Sequence, residues 1–331
     1  MFSLILSTFV FLSLLSSVSG YEVSLCTALV NFFDGQTSPI TEGVEVTADL
    51  DCSQIFFSRP LGVLSNGTCV TFSGVFQGNG HSIKNVNMNT ASNRVYKDAG
   101  LFCSLKDATV ENLVIDSSCS FTGRYAGALS VLVAGSSTVK NVTNTAAVSG
   151  TERLGGLIGS MRDFEQPSVV SFEDCVNGAN VTGTGTGTWS WNNYVGGFIG
   201  DVYNVKGGTV SFTECVNEGN VTSRASNNGG FIGFIQNKNE NVSMSFSGCS
   251  NHGSVNGTSS IGGFIGDISS GTVIINMVFS DCSNDGDITG SEMETSIAGF
   301  IGSISSDNAS VTFLSCSSHG SVSGKNQVGG F

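Results

Sequence analysis

Short apolar runs broken by glycine recur along the chain. Leu154-Gly155-Gly156-Leu157-Ile158-Gly159 returns as Val195 to Gly200, Gly229 to Gly233, Ile261 to Gly266 and Ile297 to Gly302. After each run comes an alternating stretch that ends in Phe, followed by Cys and then Asn: Phe172, Cys175 and Asn177; Phe212, Cys215 and Asn217; Phe246, Cys249 and Asn251; Phe279, Cys282 and Asn284. The last copy keeps Phe313 and Cys316 but has Ser318 in the Asn place. A short step at Val181, Val221, Val255, Ile288 and Val322 completes each unit. The cysteines lie 40, 34, 33 and 34 residues apart, and such fixed-period self-similarity predicts stacked repeats. Weaker copies at Thr138 to Gly150 and around Ala99 and Ala126 bring the total to about eight units.

The apolar positions alternate with period two, and no window sustains a 3.6-residue period, so the elements are strands. Three strand candidates and three bends per unit predict an all-β, right-handed parallel β-helix (β-solenoid) of about 7–8 coils, with three short strands per coil. In-register stacking then makes ladders of the equivalent Phe, Val and Cys residues. Asn177, Asn217, Asn251 and Asn284 are expected to form an amide ladder at a bend. Gly219, Gly253, Gly286 and Gly320 are expected to supply a positive φ. Within Phe198-Ile199 one side chain must point outward unless a bulge or corner turns both inward.

Met1 to Gly20 is uncharged and apolar and ends in small residues, which reads as a signal peptide (1–20). Residues 21–71 lack the repeat and are expected to form an N-terminal capping region, with one disulfide among Cys26, Cys52 and Cys69; residues 72–331 carry the repeats. The sequence stops at Gly330-Phe331, inside a strand that earlier coils complete, so the array is expected to be truncated there. Membrane association would come only from such a missing C-terminal region or from an uncleaved signal. A net charge of −13 leaves no basic face for nucleic acid. Asn66, Asn141, Asn180, Asn220, Asn241, Asn256 and Asn308 stand in glycosylation sequons, which suits a secreted or cell-surface location.

The tetrapeptide Gly156-Leu157-Ile158-Gly159, its Phe-containing copies, and the stretch Phe72 to Val86 resemble GLUG-motif repeat proteins across about residues 72–331. That resemblance implies a secreted or surface-displayed parallel β-helix with an adhesin-like, non-catalytic role. It fixes architecture better than ligand.

A carbohydrate-active β-helix enzyme, a polysaccharide lyase or glycosidase, is the alternative, and it needs carboxylates converging on one open face. Asp174, Glu214 and Asp281 recur before their Cys, and Asp201 and Asp267 follow their Gly-Gly-Phe-Ile-Gly; both series are interrupted and read as solvated strand edges. His252 and His319 share a repeat position and read as turn caps. The cysteines recur at the repeat period without Cys-x-x-Cys pairs, so no metal site or cofactor is indicated. The insertion Gly183 to Tyr194 holds both tryptophans. Trp189, Trp191, Asn192, Asn193 and Tyr194 are the candidate ligand-binding residues, for a glycan or another cell surface, by stacking and amide hydrogen bonds.

Overall fold

The computed structural model describes residues 20–331 apart from 94, 163, 166, 186–192, 225–226, 239 and 292–295. The chain winds into a parallel β-helix of about eight coils with three sheets of 17, 7 and 13 strands. One coil runs through Val169–Glu173, Val176–Asn177, Val181–Gly183, Tyr194–Gly196 and Ile199–Tyr203. The three faces are as expected, but two of them are split, giving five short strands where three were expected. The splits fall at Asp174, whose φ is +53, and between Val181–Gly183 and Tyr194–Gly196, which share the 13-stranded sheet; the Gly197-Phe198 bend leads from that sheet to the 7-stranded one.

Register follows the sequence period. Phe172 pairs with Phe212, then Phe246, Phe279 and Phe313 in turn. Neighbouring rings in this column stack at 4.6–5.0 Å. A second column, Phe198, Phe231, Phe264 and Phe300, stacks at 4.7–4.8 Å and meets the first edge-on, as Phe231 meets Phe212 at 5.8 Å and 86°. Phe198 and Ile199 are both fully buried, because the bend turns consecutive side chains into the core. Aromatic stacking thus reinforces burial of the two columns from coil to coil.

Asn144, Asn177, Asn217, Asn251 and Asn284 form a buried amide column, each Nδ2 donating to the Oδ1 of the next at 2.7–3.0 Å. Each Nδ2 also donates to the carbonyl two residues on, as Asn177 does to Ala179. Ser318 ends the column by accepting from Asn284 at 3.4 Å. The positive-φ expectation for Gly219, Gly253, Gly286 and Gly320 is corrected: none is left-handed, and glycine is needed because a Cβ on Gly253 would lie 2.0 Å from the Gly219 carbonyl oxygen of the preceding coil. Left-handed backbone sits instead before each Cys, at Asp174, Glu214, Gly248, Asp281 and Ser315.

Parallel pairing reaches back through Val44–Val46 to Tyr21–Val23. The helix Cys26–Asp34 lies over this end, with Phe33 packed 5.7 Å from Phe72 and 5.6 Å from Phe102. Cys26 is bonded to Cys52, and Cys69 to Cys103. The second pair recruits a cysteine that reads in the sequence as a repeat position. Cys175, Cys215, Cys249 and Cys282 are free and buried. Their thiols donate to backbone carbonyls, as Cys215 does to Phe172. No described helix is long and apolar enough to cross a membrane.

Candidate functional site

The Gly-Gly-Phe-Ile-Gly corner forms an outward notch, because Gly200 brings its strand so near the preceding coil that a Cβ would sit 2.5 Å from the Leu154 nitrogen. Residues just before and just after the corner therefore face each other. One row runs Tyr125, Arg153, Tyr194, Asn227 and Ser260. The opposite row runs Ser160, Asp201, Phe234, Asp267 and Ser303. Both rows climb the coil axis one residue per coil.

Chemistry concentrates at one end of this notch. Arg153 Nη1 lies 3.1 Å from Asp201 Oδ2, with the arginine side chain 11% exposed and the aspartate fully buried. The Arg153 guanidinium lies 5.0 Å from the Tyr125 ring, 5.9 Å from Tyr203 and 6.0 Å from Tyr194. Arg124 and Arg162 approach the same Tyr125 ring at 4.4 and 5.2 Å, so three guanidiniums surround one phenol. Arg124 is held by Asp98 at 3.2 Å. Tyr194 stacks on Phe234 at 4.4 Å.

Burial sets the protonation behaviour. Loss of solvent pushes the Asp201 carboxyl up to about 6, against the pull of the Arg153 guanidinium. Asp267 is raised by the same cause, and the buried Tyr194 hydroxyl is pushed up to about 12.

Of the sequence candidates, Trp189, Trp191 and Asn192 lie outside the described residues. Asn193 and Tyr194 are buried, and Tyr194 is a strand residue in the notch wall. Asp201 is no solvated edge, since it is the floor of the notch. Asp174, Glu214 and Asp281 are exposed at the left-handed corner. The rings of His252 and His319 both face Asp285, at 3.5 and 2.9 Å. Among the described residues no group of three or more His, Cys, Asp or Glu is arranged to hold a metal ion. Six of the sequon asparagines are exposed and Asn256 is half-buried. Arg153 was missed because it occurs in one coil only. The available signal was a charge immediately before a Gly-Gly motif, matched by Asp201 immediately after one.

No protein-family model matches the chain. Over 150 residues, 43% of this chain, it is 31% identical to halomucin of Haloquadratum walsbyi (strain DSM 16790 / HBSQ001), and it spans only 2% of that protein's length. A crystal structure from Bacteroides ovatus, of a protein provisionally named an immunoglobulin A1 protease, shares the fold with a TM-score of 0.61 at 17% identity, over 88% of this chain and 84% of that one.

Proposed function

We propose that this chain is the ligand-binding scaffold of a secreted or cell-surface β-helix protein, adhesin-like and of the GLUG-repeat kind, with the notch around Arg153 as its binding surface. The carrying observation is the Arg153–Asp201 pair, set among Tyr125, Tyr194 and Tyr203 on an outward corner where packing alone asks only for small or apolar residues. The partial likeness to halomucin and the two disulfides support the extracellular location.

Binding is favoured over hydrolysis by what lies between the carboxylates. Asp201 and Asp267 stand two coils apart on one row, roughly 10 Å at the parallel spacing, and Phe234 fills the rung between them. A glycosidase needs open space there for the sugar and a water. The provisional name of the Bacteroides ovatus protein belongs to that protein; at 17% identity the coil architecture alone carries over.

The test is a carbohydrate array and whole-cell binding assay with the purified chain beside Tyr125→Ala, Arg153→Met and a Trp189→Ala/Trp191→Ala double variant. Binding that falls in the notch variants supports the reading. A folded wild-type chain that binds neither carbohydrate nor cells overturns it.

A further inference from the structure

Buried polar atoms with hydrogen-bonding capacity to spare gather in the notch: Arg153 Nε and Nη1, Ser160 Oγ, both carboxylate oxygens of Asp201, and Asp267 Oδ1, with Ser160 beside the Asp201 carboxyl and Ser303 and the Ile268 amide beside that of Asp267. Each such atom costs about 1–3 kcal/mol when left without a partner, so native folds keep very few of them. The ion pair offsets part of that cost for Arg153 and Asp201, but it does not use their remaining hydrogen-bonding directions. The asparagine column, by contrast, passes its buried amides from coil to coil through paired donors and acceptors. At the edge of this polar cluster Arg153 and Asp267 offer a donor and an acceptor among aromatic rings, which suits something that both accepts and donates.

We propose that the notch binds a neutral, extended glycan laid along the coil axis, with Arg153 and Asp267 bonded to its hydroxyls, Tyr203 against a C–H face, and Tyr125, whose ring gathers the guanidiniums, at the rim. This deepens the binding reading above and rests on it. Tyr125, Tyr203 and Asp267 are half-buried and form the rim that a ligand meets. Asp201 and Ser160 lie below them at zero exposure, so Asp201 is a positioning residue that fixes the direction of the Arg153 guanidinium.

The ligand's neutrality follows from charge. Arg153, Arg124 and Arg162 bring three positive charges, and Asp201, Asp98 and Asp267 three negative ones, so the notch carries no net positive charge to draw an anion. The whole chain carries −13, so a uronate polymer would meet repulsion on approach and at the rim. A hydroxyl, by contrast, accepts from guanidinium N–H and donates to carboxylate. The axial orientation follows from spacing, because both rows repeat at the parallel strand distance of roughly 4.8 Å and an extended sugar chain can then meet successive rungs with successive units.

The test is titration calorimetry of the intact chain with β-1,4-linked gluco- and manno-oligosaccharides from disaccharide to hexasaccharide, and with galacturonate oligomers of the same lengths. Folding of every variant is checked by circular dichroism. The expected result is affinity for a neutral series that rises by about tenfold or more between disaccharide and tetrasaccharide, with no comparable binding of uronates. Tyr125→Ala and Arg153→Met should each weaken it by about tenfold, and Arg153→Lys should recover only part. Asp201→Asn should remove a pH dependence of affinity near pH 6 that the wild type shows. Glu214→Gln, on the distant corner, should bind as wild type does. Tight binding of uronates alone, affinity indifferent to chain length, or notch variants that bind normally would each overturn this inference while leaving a binding scaffold standing. Absence of binding to every carbohydrate and cell surface would remove the scaffold reading as well.

Discussion

Asn217 donates from one Nδ2 to Asn251 Oδ1 at 2.7 Å and to the Gly219 carbonyl at 2.9 Å. The same residue accepts from Asn177 at 2.9 Å, so a single side chain ties three coils and its own bend. All of this lies at zero exposure, where an amide without partners is expensive. Asn217→Ala would leave Asn177 without its acceptor and Asn251 Oδ1 without its donor. The expected loss is about 2–4 kcal/mol, read from urea unfolding midpoints. A loss below about 0.5 kcal/mol would mean that the column is ornamental.

Close approach between coils makes a second prediction. Gly253→Ala places a methyl 2.0 Å from a backbone oxygen, whereas Gly271 has nothing within 4 Å of its would-be Cβ. Gly253→Ala should cost about 3 kcal/mol or more and Gly271→Ala less than about 0.5 kcal/mol, by the same denaturation measurement. Similar values for the two would contradict the packing account.

The left-handed corner predicts the reverse sign. Glu214 holds φ at +52 while its neighbour on the next coil is Gly248. Glu214→Gly should therefore stabilise by about 0.5–1 kcal/mol, and Glu214→Val should destabilise by about 1–2 kcal/mol. Thermal midpoints of the two variants falling on the same side of wild type would refute this.

A pH dependence attaches to Asp201. Its folded carboxyl titrates at about 6, above the 3.8 of an unperturbed aspartate, so between these values the folded chain keeps a proton that the unfolded chain has lost. The associated stability is complete below about pH 4 and disappears as pH rises through 6. Asp201→Asn removes it, so the stability of the variant relative to wild type should grow by up to about 3 kcal/mol from pH 4 to pH 7. Parallel stability profiles would show that the carboxyl is not shifted.

The cysteines give a chemical readout. Peptide mapping without reductant should recover the Cys26–Cys52 and Cys69–Cys103 pairs. A maleimide should label half-exposed Cys316 in the native chain, and Cys175, Cys215, Cys249 and Cys282 only after unfolding. Recovery of Cys175 linked to Cys215 would be incompatible with this core.

What repeats could be read from the sequence, and what occurs once could not. Phe212, Val221, Cys215 and Asn217 each have partners one period away, so period alone places them on inward ladders. Asn144 belongs to the same column but sits in a coil where Val142 replaces Cys, and it escaped the pattern for that reason. Gly219 and Gly253 were assigned to the right places for the wrong cause, since one sequence cannot distinguish a residue that needs positive φ from one that needs room for another backbone. Arg153 and Asp201 are 48 positions apart in the chain and touch only because the corner folds their strands together.

The notch has a further consequence when considered as a written surface. Each coil places one residue in each of its two rows, while the inward columns hold the coils in register whatever those residues are. Replacing Asn227 or Ser260 therefore edits one rung without disturbing its neighbours' backbone pairing. Transplanting Arg153, Ser160 and Asp201 two coils along should move the polar site by two rungs. The β-helix serves as a tape on which recognition can be shifted, lengthened or erased one coil at a time.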